Sequence, residues 1–348
     1  MEKLNAAFIA FIACVIFIRL FIHIAKPLNL LDMPSDRKTH TGAIPVVGGI
    51  AIFLSFLLGI FSSVVDLNIL RNLIISLLIV VSIGFIDDIK DLAITTRVLA
   101  HIVAVLFIFN ENIQITSLGN IFYFFEFNLG IFALLFTILA IIGSINSINM
   151  IDGIDGLASI QALISLTPII FFSYINSIEL VYSLSILLVA TILPFLLFNL
   201  NFFGEKYKVF LGDAGTTFLG FIICILVIIL SQKDPKVITP VTALWIMAFP
   251  VIDTLATVLR RIRKGVSPFK ADREHLHHFF VRSGFSDKQT LLLVSVISFT
   301  LSSIGVLFEI YNLSESLSFL IFLISFVAYF YILSHAWKVS KKVRDKIS

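Results

Sequence analysis

Five polar groups break an otherwise apolar chain: DMPSDRKTHTGAIPVVGG over 32–49, DDIKD over 87–91, NSINMIDGIDGLA over 146–158, VFLGDAG over 209–215 and SPFKADREHLHHFF over 267–280. In the second, Asp87 and Asp88 are adjacent and Asp91 follows one helical turn later. A helix running through the group would set Asp87 and Asp91 on one face. The plainer reading is a solvated helix end with Lys90 and Arg97 as partners. In the third, Asn146, Asn149, Asp152 and Asp155 recur every third residue, roughly along one side of a helical or 3₁₀ turn. Gly153 and Gly156 follow the two acids and let backbone amides approach a ligand closely. Carboxamide and carboxylate oxygens at a membrane boundary are poor packing material. They suit a nucleobase edge, sugar hydroxyls or a hard cation.

In VFLGDAG, Asp213 stands close between two glycines at the expected start of a helix. There it could cap the helix or hold Mg²⁺, which takes one or two carboxylates together with phosphate oxygens and water. Phe210 could stack on a base or face lipid. In the fifth group, His275, His277 and His278 follow Lys270 and Arg273. Thiolate partners and an H-E-x-x-H pattern are lacking, so zinc is a poor fit. Cationic donors to phosphate suit the cluster better. Arg260, Arg261, Arg263 and Lys264 read as snorkelling bases of a membrane-surface loop. His23 and His101 read as satisfied packing residues. Asp253, shortly after Pro250, reads as functional or as paired with a neighbour.

The elements that must position these groups are membrane helices. Apolar residues make up 59% of the 348 and charged residues 14%, against roughly 25% charged in an average soluble domain. A soluble protein of this size could not hide that much apolar surface. A soluble domain, a disulfide scaffold and a disordered chain are therefore excluded. The net charge of +3 gives no nucleic-acid surface. Cys14 and Cys224 lie in apolar runs and read as packing or lipid-facing residues.

Apolar runs that could each span the bilayer begin near residues 4, 47, 69, 94, 129, 158, 180, 214, 238, 290 and 316. The expectation is an all-α, polytopic bundle of about eleven transmembrane helices, forming one integral membrane domain over 1–348. The second to fourth runs are short and crowded, which leaves ten or twelve open. With the N-terminus outside, 20 of the 25 Lys and Arg fall on inner segments and four on outer ones. That split predicts N-out and C-in. All five polar groups then share the cytoplasmic face. Lipid-facing carboxylates are costly, so acids gathered at one boundary imply a shared aqueous site.

The ordered set R-K-x-H with P-x-x-G-G, D-D-x-x-D, N-x-x-N-x-x-D-G-x-D-G-L, G-D-A-G and H-x-H-H resembles the polyprenyl-phosphate N-acetylhexosamine-1-phosphate transferases, and covers 32–285. The resemblance implies transfer of N-acetylglucosamine 1-phosphate from UDP-N-acetylglucosamine to undecaprenyl phosphate with release of UMP. That step starts O-antigen, common-antigen or related glycan synthesis in the cell (inner) membrane. It assigns Asp213 to Mg²⁺, with Mn²⁺ able to substitute, and Asn149 close to the metal. Asp152, Asp155 and Phe210 fall to the uridine. Arg97, His275, His277 and His278 fall to the phosphates, and Lys38 and His40 to substrate binding. Asp87 and Asp88 match the pair to which catalysis is attributed. A phosphate monoester is already largely dianionic near pH 7, so these two acids are expected to organise the site at least as much as to take a proton. Partners implied are the nucleotide sugar, the polyprenyl phosphate and membrane lipid, with a homodimer allowed and no nucleic acid. The muramoyl-pentapeptide branch, or another UDP-N-acetylhexosamine, is the alternative within the family. A secondary transporter is the competing class, but such sites tend to lie near the bilayer midplane.

Overall fold

The computed structural model describes residues 2–33, 42–63, 67–234, 236–267 and 274–335, with the side chains of 2 and 67–69 left aside. The described chain is mostly helical, with a two-residue antiparallel ladder pairing Leu31–Asp32 with Ile44–Pro45 and an isolated bridge between Ser117 and Asn128 in the segment joining two of the helices. Its helices are α1 (Glu2–Ile24), α2 (Gly48–Phe61), α3 (Leu67–Lys90), α4 (Ile94–Phe109), α5 (Ala133–Ile151), α6 (Leu157–Ile175) and α7 (Glu179–Asn199). There follow α8 (Gly212–Gln232), α9 (Pro240–Ile246), α10 (Ala248–Arg263), α11 (Leu276–Arg282), α12 (Asp287–Ile310) and α13 (Glu315–Ser334).

Among the described residues, eight helices are long and apolar enough to cross a membrane: α1, α3, α5, α6, α7, α8, α12 and α13. The pair α9–α10, bent by 82° at Met247, makes nine if it is taken as one span. The break falls before Pro250, not at it, and Pro250 sits in the first turn of α10. The helices α2 and α4 have 14 and 16 residues. At 1.5 Å per residue they reach about 21 and 24 Å, short of the roughly 30 Å of hydrocarbon. Every apolar run read from the sequence thus has its helix or bent pair, but only eight or nine have the length of a span.

At the centre stands α8, whose apolar stretch is wholly buried. It packs on α3 and α5 most extensively and also on α2, α6 and α9. Small residues permit the close approach: a Cβ at Gly84 of α3 would lie 2.7 Å from Ala214 Cα, and one at Gly220 of α8 would lie 2.6 Å from Ile145 Cα. Such small-residue contacts are how membrane helices pack where lipid removes the hydrophobic drive between them. By contrast α1, α12 and α13 bury little of themselves and form the lipid-facing rim. Cys14 and Cys224 are both buried and free.

Four local expectations are corrected. Asp91 does not share a helical face with Asp87, because α3 ends at Lys90 and Asp91 turns left-handed at φ +48°. Asn146 does not join the row of acids. Its amide donates back to Ile142 O at 2.8 Å within α5. Arg260 and Arg261 are buried rather than snorkelling; Arg260 pairs with Glu274, Nε to Oε2 at 2.6 Å. His101 is buried, but it is not satisfied: neither ring nitrogen has a hydrogen-bond partner among the described residues.

Candidate active site at the start of α8

The N-terminus of α8 leaves backbone N–H groups without helical partners. Asp88, at the end of α3, supplies the acceptors from 125 residues away. Its Oδ1 accepts from Asp213 N at 2.7 Å and its Oδ2 from Ala214 N at 3.1 Å. A carboxylate here also suits the positive end of the helix dipole. Gly212 lets the two approach. Its φ is +72°, and a Cβ there would lie 2.7 Å from an Asp88 oxygen. The P-x-x-G-G motif locks the same corner, since Gly48 N donates to Phe210 O and Gly49 N to Leu211 O, both at 2.9 Å.

Asp87 faces the other way. Its Oδ2 accepts from Arg97 Nη1 at 2.6 Å and its Oδ1 from Leu92 N at 2.6 Å, so it ties the end of α3 to the first turn of α4. Asp213, in the first turn of α8, accepts from the Asn149 side-chain amide of α5. The same Asn149 nitrogen also reaches Thr216 Oγ1 at 3.0 Å. Asp87 borders Asp213 as well, so three carboxylates and a carboxamide from α3, α5 and α8 meet at one corner.

Past the end of α5, Asp152 is exposed. Asp155 accepts from Lys208 Nζ at 2.6 Å, and that ammonium lies 5.5 Å from the centre of the Phe210 ring. The turn between them is braced by Asn199, a buried residue that the sequence pattern did not single out. Its Oδ1 accepts from Gly156 N at 2.6 Å and its Nδ2 donates to Val209 O at 2.8 Å. No spacing signals it; only its polarity at the foot of an apolar helix could have.

The histidines close the far side. Asp253 of α10 is fully buried. Its Oδ2 lies 2.6 Å from His275 Nδ1, and its Oδ1 accepts from Leu276 N at 3.2 Å and from Tyr329 Oη at 2.5 Å. The alternatives open for Asp253 thus resolve: it pairs, and by pairing it orients His275 and caps α11. The rings of His275 and His277 are parallel at 5.7 Å, and those of His277 and His278 lie 4.1 Å apart. His277 is 1% exposed, and its Nε2 has no hydrogen-bond partner among the described residues. It sits against Gly153, where any Cβ would overlap the ring. Burial, with His278 beside it, pulls the His277 pKa down to about 3. His277 is therefore neutral at physiological pH, not one of the cationic donors expected. Lys38, His40, Lys270 and Arg273 lie outside the described residues.

A family model described as glycosyl transferase family 4 matches residues 70–231, which hold the three acidic motifs. Along nearly its whole length the chain is similar to the undecaprenyl-phosphate alpha-N-acetylglucosaminyl 1-phosphate transferase of Haemophilus influenzae, 38% identical over 97% of this chain and 96% of the relative. The enzyme of that name from Pasteurella multocida is 40% identical, over 92% and 90% of the two chains. The one from Escherichia coli K12 is 35% identical, over 92% and 88%. The chain belongs to glycosyl transferase family 4. Within this family 4 member, the corner at the start of α8 gathers the acids, and Gly153 joins it to the histidines.

Mg²⁺ is what the donor set at that corner would suit. Among the described residues no three His, Cys, Asp or Glu side chains form a cage. An ion completed by phosphate oxygens and water needs only one or two carboxylates, and Asp213 fits that role. Asp88 fits it less well, because both of its oxygens already accept backbone N–H bonds.

Proposed function

We propose that the chain transfers N-acetylglucosamine 1-phosphate from UDP-N-acetylglucosamine to undecaprenyl phosphate. An oxygen of the lipid phosphate attacks the β-phosphorus, the bond from that phosphorus to the bridging oxygen breaks, and UMP leaves. The products are lipid-diphosphate-N-acetylglucosamine and UMP. The observation that carries this reading is the convergence of four motifs on the start of α8, in a chain whose full-length relatives bear that activity in their names.

Phosphoryl transfer is mostly positioning and charge stabilisation. Asp155 and Phe210 stand together beneath Lys208, which suits a nucleoside. Arg97, 31% exposed at its side chain, reaches the open end of its pair with Asp87 and suits the acceptor phosphate. His278 suits the diphosphate, while His277, packed against Gly153, sets the distance between α11 and the Asp152–Asp155 turn. Asp213 would hold Mg²⁺, whose charge offsets the repulsion between two phosphates. Asp88 builds the site by fixing the N-terminus of α8. The same reading takes eleven crossings, with α2 and α4 as short ones beside the nine of span length, N-out and C-in, with the site on the cytoplasmic face of the cell (inner) membrane. The charge split supports it, as does the gathering of the polar groups at one end of the bundle. That one-ended placement favours an enzyme over an alternating-access transporter. The test is to supply both substrates with Mg²⁺ to the purified protein and weigh the lipid product. A mass gain of N-acetylglucosamine phosphate supports the reading; a gain of the sugar alone refutes it.

A further inference from the structure

The helix α4 buries one face, formed by His101, Ala104, Val105 and Ile108. On that face His101 is 4% exposed and leaves both ring nitrogens without a partner among the described residues. A buried polar group that pairs with nothing needs an explanation, and an ionisable residue inside a membrane bundle calls for its partner to be named. His101 stands one helical turn past Arg97 on the same side of α4. The charges that act on it are those of Arg97 and Asp87.

Those two charges are unequally placed. The Asp87 side chain is 2% exposed and spends its oxygens on Arg97 and on Leu92 N, whereas the Arg97 side chain is 31% exposed. An arginine drawn to a phosphate would leave Asp87 buried and one partner short, a state that proteins avoid. We propose that His101 is the reserve partner of Asp87: when Arg97 turns to the acceptor phosphate, the His101 imidazole donates to the Asp87 oxygen that Arg97 leaves. His101 is then a positioning residue, and its role rests on the acceptor assignment made above.

The test is binding of undecaprenyl phosphate to the full chain in detergent, for wild type, His101→Gln and His101→Leu, each also in an Asp87→Asn background. Gln keeps an N–H donor and Leu does not. His101→Leu should weaken binding about tenfold and His101→Gln less than about threefold. With a neutral residue at 87 no carboxylate is stranded, so His101→Leu should then cost less than about twofold. UDP-N-acetylglucosamine binding should be unchanged in both His101 variants. Equal losses for Gln and Leu, or the same tenfold loss in the Asp87→Asn background, would overturn the proposal. So would wild-type binding by His101→Leu, which would leave the acceptor reading standing. A wild type that does not bind the lipid phosphate would overturn both.

Discussion

Replacing Asp88 with Asn removes one of the two acceptor oxygens that hold the first turn of α8 and sets an NH₂ against a backbone N–H. The loss has two parts. A hydrogen bond to a charged group contributes about 1.5–3 kcal/mol net. A carboxylate at a helix N-terminus adds about 0.3–1 kcal/mol, more where it is partly buried. Together they come to about 3 kcal/mol, which for a chain of this size lowers the melting temperature by roughly 4 °C. Because the same turn carries Asp213, a shift of about an ångström there should cut turnover by about a hundredfold. Thermal unfolding in detergent, followed by Trp fluorescence, reads the first effect, and UMP release reads the second. Both should fall together at every pH. An Asp88→Asn variant that melts like wild type, loses turnover and regains it at alkaline pH would refute the capping role and make Asp88 a base.

Asp87→Asn should also lower turnover without alkaline rescue, because its carboxylate anchors Arg97 and Leu92 N; a pH–rate profile checks this. Asp213→Ala should abolish the Mg²⁺ dependence of UDP-sugar binding, seen by titrating with and without chelator; Mg²⁺-dependent turnover near normal would move the ligand to Asn149 or Asp152. Gly153→Ala should push His277 out of place and weaken UDP-sugar binding by about tenfold, a loss of about 1.4 kcal/mol, measurable by equilibrium binding. His277 supplies a pH test. Above its ordinary 6.5 the ring is neutral whether folded or unfolded; below it the unfolded chain takes a proton that the folded ring refuses down to about pH 3. Stability is therefore lost as pH falls, by about 1.4 kcal/mol per pH unit in that window. His277→Gln should melt with a shallower dependence between pH 6.5 and 4.

The apolar runs and the convergence of the polar groups were legible because hydropathy and helix-end acids follow directly from the demands of lipid. Span lengths were less so, since α2 and α4 end after 14 and 16 residues, and hydropathy alone does not mark where a helix stops. Asn149, Asp155 and Asp213 stand out by type and spacing as candidates, whereas Asp87 is separated from an ordinary solvated helix end only by the resemblance. The division of labour was not legible: that Asp88 caps α8 and Asp87 holds Arg97 depends on contacts across 125 and 10 residues. Asn199, Lys208 and Tyr329 carried no motif, and their roles come only from the tertiary fold. His277 reads as a cation by type but is neutral by burial, which a sequence does not display.

The central claim is that phosphate travels with the sugar. Incubating the protein with undecaprenyl phosphate, Mg²⁺ and UDP-N-acetylglucosamine labelled with ³²P at the β-phosphorus separates the two chemistries in one extraction. Label recovered in the lipid phase, beside unlabelled UMP in the water, is the result expected here. Label remaining in water as UDP would contradict the account.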